Sequence, residues 1–269
     1  MSGIDLRVKK LFNGKKNLVI SAIDHVMEYG DQEGIETSRK AIEKCLGTDA
    51  LLLSRYSLLR NGDLFASKSA PVPVIRINWT SGFYYPLDYK QGYTTIAASV
   101  EQVVEAGAEM IICSLFLELN DEEQETKNVE VFSEVVRQKE KLGIPLIGEV
   151  YVIEHKSLTP DQLHLKVKRV ARVMAELGAD MVKTFYTYKF NEVVDNTPVP
   201  VFVIGAEKLS RDLDVLKKAE SSASMGARGI IFGRNIFMAK DPGKIIAALN
   251  DVLNEGLSAE KSAAKHGLI

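Results

Sequence analysis

A single lysine interrupts an apolar, β-prone decapeptide, Gly178-Ala179-Asp180-Met181-Val182-Lys183-Thr184-Phe185-Tyr186-Thr187. Met181 and Val182 are apolar, and Thr184, Phe185 and Tyr186 favour pleated backbone, so the segment reads as a buried strand behind an amphipathic helix. A lysine there either extends its amine out of the core or gives up its proton. A neutral, desolvated amine is the nucleophile that condenses with a carbonyl to form a Schiff base. Burial and nearby cations such as Lys208 or Arg234 favour that form. The competing reading pairs Lys183 with Asp24 or Glu149 as an ionic filler of the fold interior. Position alone does not choose between them.

Other reactive residue types close apolar runs in the same way. Asp24 and His25 follow the run 17–23 and suit substrate hydroxyl binding or proton relay; the plainer reading is a helix-start carboxylate beside a satisfied imidazole. Asn78 and Trp79 follow the run 73–77. Tyr151 ends the run 144–151, where its hydroxyl can act as general acid or base at a Schiff-base carbon, or be an ordinary strand tyrosine. Glu149 shares its side of the strand by alternation. Two later loops each combine a glycine with a cation: Gly205 with Lys208, and Gly233 with Arg234. Glycine lets backbone N–H groups approach an anion, and an arginine adds a bidentate donor. Tight turns beside a surface arginine are the alternative. No His/Cys/Asp cluster has metal-ligand spacing, no Ser-His-Asp set is evident, and no dinucleotide fingerprint follows the first strand. Neither a metal nor a cofactor is expected.

These residues need a frame that brings strand ends together. Strands are expected at 17–23, 50–53, 73–77, 109–117, 144–151, 178–187, 199–204 and 229–232. Helices are expected at 37–46, 99–106, 121–142, 159–177, 188–194, 210–225 and 242–253, while 56–69 reads as one helical turn or two. Thr159-Pro160-Asp161 is a strong helix start, with a cap residue followed by proline at the first helical position. A helix ending in Gly-Ala or Leu-Gly before a short apolar strand recurs at Gly107, Gly143, Gly178 and Gly226. Strict strand–helix alternation without a linker predicts an α/β fold: a single-domain (β/α)8 barrel over residues 1–257, with a helix-compatible tail at 258–269 that caps a barrel end or joins an oligomer contact. A doubly wound open sheet is the alternative. In such a barrel the active residues sit at the C-terminal ends of the strands.

Composition narrows the partners. Apolar residues make up 46% of 269 residues, enough for a substantial core, and the net charge of −2 gives no electrostatic case for nucleic acid or an anionic membrane. The start of the chain lacks the apolar run of a signal peptide, and no stretch approaches the roughly 20 residues of a membrane span. Cys45 and Cys113 read as reduced core residues. A soluble, cytoplasmic protein acting on a small molecule is expected.

The same residues carry a family resemblance over essentially the whole chain. Gly178-Ala179-Asp180-Met181-Val182-Lys183-Thr184 is similar to the Schiff-base strand of the class I aldolases of the deoxyribose-phosphate aldolase and archaeal-type fructose-bisphosphate aldolase superfamily. Asp24-His25 resembles the family's Asp-His pair after the first strand, and the stretch from Gly229 to Phe237 resembles its last strand and phosphate loop. Pro145-Leu146, with Tyr151 six residues after the proline, is similar to the strand bearing its proton-transferring tyrosine. The resemblance implies a barrel with Lys183 as imine former, Tyr151 as acid and base, and Asp24 as helper. It further implies that His25, Gly205, Lys208, Gly233 and Arg234 hold a phosphorylated substrate, and that the protein forms a ring-shaped homo-oligomer such as a decamer. The implied reaction is metal-independent cleavage or formation of a carbon–carbon bond in a phosphorylated ketose such as fructose 1,6-bisphosphate. A related branch is a thiolase acting on a phosphorylated dione with coenzyme A, and its Lys-Thr-Tyr-Tyr strand is similar to Lys183–Tyr186. A non-catalytic sugar-phosphate-binding barrel is the third reading.

The chain departs from the family pattern at three places. Gly205-Ala206-Glu207 replaces a glycine pair followed by proline, Val152-Ile153-Glu154 replaces Pro-Arg-Gly after Tyr151, and the fourth strand ends Phe116-Leu117-Glu118. All three are expected around the non-phosphate end of the substrate.

Overall fold

A computed structural model describes residues 2–83, 89 and 91–268 of the chain. Eight parallel strands close into a barrel in sequence order: β1 (Leu18–Ala22), β2 (Ala50–Ser54), β3 (Val72–Arg76), β4 (Met110–Leu115), β5 (Leu146–Val150), β6 (Met181–Thr184), β7 (Val201–Ile204) and β8 (Gly229–Phe232). Closure is made by β1 against β8, with Leu18 opposite Gly229 and Ser21 opposite Phe232. The open-sheet alternative is therefore excluded. Almost every strand residue is buried, as expected when one face packs in the lumen and the other under helices.

The buried apolar residues fall into two layers. Leu18, Ile20, Leu52, Val74, Ile112, Ile147, Met181, Phe202 and Ile231 fill the lower lumen. Alternate residues of the same strands, such as Val19, Leu51, Ile75, Ile111 and Val182, pack outward against the helices. Each fully buried Leu, Ile or Val contributes about 1.5–3 kcal/mol relative to exposure. The lumen is consequently a stable floor for whatever lies above it.

Several features lie outside the expected alternation. The basic lead-in is a helix, Gly3–Phe12, started by a reciprocal Ser2/Asp5 cap. Its Val8, Leu11 and Phe12 join the lower lumen, and Phe12 lies 6.3 Å from Phe202 between ring centres. The run past β3 forms an antiparallel ribbon of Asn78–Thr80 with Thr94–Ile96. The ambiguous segment contains a helix, Arg55–Arg60, and a 3-10 turn, Gly62–Phe65. Beyond the barrel, helix Ala259–His266 packs on the outer helices Pro242–Asn254 and Asp212–Ser224, and Lys265 and His266 pair with Asp251. The tail's last residue, Ile269, lies outside the described residues, as does Met1 at the start of the expected barrel range. Cys45 and Cys113 are both unbridged and buried, and burial pushes their thiols up to about 11 and about 12. No helix among the described residues is long and apolar enough to cross a membrane.

Candidate active site

Inward-facing positions change character toward the upper rim. Two residues along each strand from the apolar floor, Val74 gives way to Arg76, Ile112 to Ser114, Ile147 to Glu149 and Met181 to Lys183. Alternation places each pair on one face. Asp24 enters the same layer just beyond β1. All five upper residues are buried. The charged layer is thus the top of the packed lumen, at the strand ends where this architecture carries its chemistry.

Arg76 is the hub of that layer. Its Nε donates to Asp24 Oδ2 at 2.6 Å, Nη1 to Ser114 Oγ at 2.6 Å and Nη2 to Glu149 Oε2 at 2.7 Å. Ser114 Oγ in turn donates to Glu149 Oε2 at 2.5 Å. Glu28, on the short helix Val26–Tyr29, brings Oε1 to 2.8 Å from the same Nε. The single Nε hydrogen is directed at Asp24, so Glu28 Oε1 sits against the guanidinium without a hydrogen bond. Burial opposes ionisation of Asp24, but the attraction of Arg76 and Lys183 exceeds it and holds the carboxyl well below its usual range. The same balance of burial, Arg76 and Lys183 leaves Glu149 below its usual range. Burial dominates at Glu28, with Asp24 and Glu149 adding to it over the pull of Arg76, and raises that carboxyl well above the ordinary value.

Lys183 lies on β6 directly opposite Glu149 on β5, and its Nζ is 2.5 Å from Glu149 Oε1. Both readings of this lysine therefore meet: it is paired to Glu149, and it also lines an open cavity of about 640 Å³. Glu149 does not depend on this pair alone, because it also accepts from Arg76 and Ser114. Tyr151, one residue past β5, lines the cavity in an aromatic wall. Its ring centre is 4.5 Å from Phe83, 5.1 Å from Phe185 and 5.8 Å from His155.

The same cavity also has a cationic side. Arg234 donates through Nη2 to Ala206 O at 2.7 Å, while its buried Nε has no hydrogen-bond partner. Gly205 and Gly233 both line the cavity. A Cβ at Gly233 would lie 2.4 Å from His25 Cε1 and 2.8 Å from Ala22 O, so the missing side chain is the space the imidazole occupies. Burial, opposed by Asp24 and aided by Lys183, Arg234 and Arg76, lowers His25 to about 4, and the ring is neutral at pH 7. Gly205 O accepts from Lys218 Nζ at 3.0 Å, an amine that burial pushes down to about 8.

Of the residues singled out from sequence, Asp24, His25, Tyr151, Lys183, Gly205, Gly233 and Arg234 share one cavity. Lys208 does not join them. The backbone turns at Ala206, which takes a left-handed φ of 56°, and Lys208 lies instead 3.8 Å from Asp212 at the next helix. Glu118 is also outside the cavity: it pairs with Arg169 on the outer helix Pro160–Glu176. Ile153, Glu154 and Glu207 do line the mouth, where Lys156 and Glu207 form an ion pair between the β5 and β7 loops. Arg76, Ser114 and Glu28 were absent from the sequence-derived set. Arg76 carries the same signal as Lys183, a cation at the C-terminal end of an apolar strand.

The family model described as DeoC/LacD family aldolase matches residues 18–239. An uncharacterised aldolase of Saccharolobus solfataricus is 28% identical over 265 residues, covering 95% of this chain and 96% of that protein. The 3-hydroxy-5-phosphonooxypentane-2,4-dione thiolase of Yersinia enterocolitica is 26% identical over 260 residues, covering 96% of this chain and 84% of that protein. Among solved structures, an archaeal fructose-1,6-bisphosphate aldolase, with its catalytic lysine covalently bound to the carbinolamine intermediate of the substrate, superposes with a TM-score of 0.78 at 23% identity. The match covers 93% of this chain and 99% of that one. The fructose-bisphosphate aldolase of Slackia heliotrinireducens gives a TM-score of 0.80 at 15% identity, covering 98% of this chain and 90% of that one.

Proposed function

Because the chain belongs to the DeoC/LacD family of aldolases, we propose that it is a class I aldolase that forms an imine between Lys183 and a phosphorylated ketose or close analogue. The observation that carries this reading is the placement of Lys183: buried, 2.5 Å from Glu149, and lining a cavity it shares with Tyr151 and Arg234. The solved archaeal relative with a lysine-bound carbinolamine supports the same chemistry for this fold.

In the proposed reaction the Lys183 amine adds to the substrate carbonyl, water leaves, and the resulting iminium draws electrons from the bond being cleaved. Tyr151 takes the proton from the substrate hydroxyl as the carbon–carbon bond breaks and later returns a proton to the enamine carbon. Asp24, Glu149 and Arg76 hold compensating fixed charge beneath the iminium, so the positive nitrogen replaces the ammonium without changing the balance of the layer. Arg234 binds the phosphate with its unpartnered Nε, beside Gly205, Gly233 and the neutral His25. A soluble, cytoplasmic enzyme assembled as a ring-shaped homo-oligomer, without nucleic-acid or membrane partners, remains part of this proposal.

A thiolase reading is favoured by one observation, the Yersinia enterocolitica relative at 26% identity. It keeps Lys183 and adds coenzyme A as acyl acceptor. Borohydride trapping with ketose phosphates and phosphorylated diones, read by intact mass and peptide mapping, tests both. A substrate-sized adduct on Lys183, lost in Lys183→Arg, is expected; cleavage without coenzyme A identifies the aldolase, and strict dependence on it the thiolase. Full turnover by Lys183→Arg would end the imine reading. Ligand binding that survives in Lys183→Ala, with no turnover by the unmodified protein, would identify a barrel that only binds.

A further inference from the structure

We propose that Glu28 is the acid that releases water from the carbinolamine on Lys183, an inference that rests on the imine reading above. Glu28 belongs to the short helix Val26–Tyr29 behind β1, and its carboxyl is buried at the wall of the same cavity as Lys183 and Tyr151. The bonds of the guanidinium beside it are committed elsewhere: Nε to Asp24, Nη1 to Ser114 and Nη2 to Glu149. Glu28 Oε1 is left 2.8 Å from Nε with no hydrogen bond at all.

Charge counting gives this carboxyl its state. The groups facing it are Asp24 and Glu149, both acidic, and Arg76 and Lys183, both basic. Two negative charges already balance two positive ones in a layer closed to solvent on its lower side. A third carboxylate would leave a net buried charge, with Oε1 lacking a hydrogen bond, which costs several kcal/mol, so the group keeps its proton instead. Burial and the two neighbouring carboxylates act in the same direction. Asp24 and Glu149, by contrast, are held ionised and have no proton to give. His25 is neutral and, with its Nδ1 unpartnered, is no stronger a donor.

The step balances. In the carbinolamine the nitrogen lone pair forms the C=N bond, the C–O pair leaves with oxygen, and the Glu28 proton completes water. The products are an iminium and a Glu28 carboxylate, so the new positive and negative charges arise together. The proton that the Lys183 ammonium loses on becoming the nucleophile passes to solvent in the cavity that both groups line, and a proton from the same solvent restores Glu28. Tyr151 remains with the carbon–carbon step.

The test compares Glu28→Gln, which keeps size and hydrogen-bonding capacity but has no acidic proton, with the unmodified enzyme. Single-turnover formation of the borohydride-trapped Lys183 adduct is followed from pH 5 to 9, and affinity for inorganic phosphate is measured alongside. Glu28→Gln is expected to slow adduct formation at least tenfold and to remove the fall in rate at high pH that marks loss of an acid. Phosphate affinity is expected to stay within twofold. Glu28→Asp, which keeps an acid, is expected to recover part of the rate. Adduct formation by Glu28→Gln within threefold of the unmodified enzyme, with the same pH profile, would overturn the proposal while leaving the imine intact. Failure of Glu28→Asp to recover any rate would overturn it as well. Absence of any adduct in the unmodified enzyme would remove the imine reading and this inference together.

Discussion

Replacing Arg76 by methionine removes the hub charge while keeping an unbranched side chain to occupy its space. Arg76 is 2% exposed and bonds Asp24 at 2.6 Å, Ser114 at 2.6 Å and Glu149 at 2.7 Å. Removing one partner of a buried ion pair costs about 3–5 kcal/mol, because the remaining charge is stranded. The stranded carboxyl has an escape, which is to take up a proton. From a reference pKa of about 3.9, protonating one aspartate costs about 4 kcal/mol at pH 7 but only about 1.5 kcal/mol at pH 5. The destabilisation therefore depends on pH in a definite direction. In the unmodified protein Asp24 is depressed below its unfolded value, so its stabilisation is fully present above that value. It is lost only as pH falls through the still lower folded value, beneath the assay range. In Arg76→Met the same carboxyl binds a proton on folding, and stability falls by up to about 1.4 kcal/mol per pH unit as pH rises from 5 to 8. Urea unfolding at pH 5, 6.5 and 8, fitted with a common slope, measures this. A loss below about 1 kcal/mol, or one that does not change with pH, would refute the account of a charged layer organised by Arg76.

Arg234→Ala is expected to weaken phosphate or substrate binding by about 1.5–3 kcal/mol, the loss of a charge-assisted contact, and calorimetric titration reads it. Lys208→Ala is expected to change that affinity less than twofold, since Lys208 lies outside the cavity; a tenfold loss would return it to the site. Gly233→Ala places a Cβ 2.4 Å from His25 Cε1 and is expected to cost about 1–3 kcal/mol in urea unfolding while lowering kcat/KM through displacement of the ring.

The frame was legible because its signals are local. Glycine stops follow four helices and short apolar runs occur eight times, and the rule that strand ends carry chemistry then singles out Asp24, Tyr151, Lys183 and Arg234, which share one cavity. Arg76 fits that rule too, but it follows Val74 and Ile75 in a run that reads as plain core. Glu28 obeys no such rule. It leaves its strand, turns once in the helix Val26–Tyr29, and returns its carboxyl to the lumen, a path set by tertiary packing. Lys208 differs in the opposite way: its distance from Gly205 suits a phosphate loop, but after the left-handed turn at Ala206 it lies outside the cavity lining. The helix Gly3–Phe12 was hidden by its basic residues, since its apolar Val8, Leu11 and Phe12 are few.

The closure of β1 on β8 also constrains how the chain is made. β1 pairs with β2 on one side, but its other edge waits for Gly229–Phe232, the last strand to be synthesised. The Gly3–Phe12 helix waits with it, because Phe12 packs on Phe202 of β7 and the apolar cluster it joins also includes Ile231 of β8. Contacts of such long sequence separation form slowly, and until they do the nascent barrel presents two unpaired edges rich in Val, Ile and Leu. A chain that stops before Gly229 keeps both edges open permanently, which makes it prone to pair with its own copies. Fragments ending in the β7–β8 segment are therefore expected to aggregate, and the full barrel to be the smallest unit of this chain that stays dispersed.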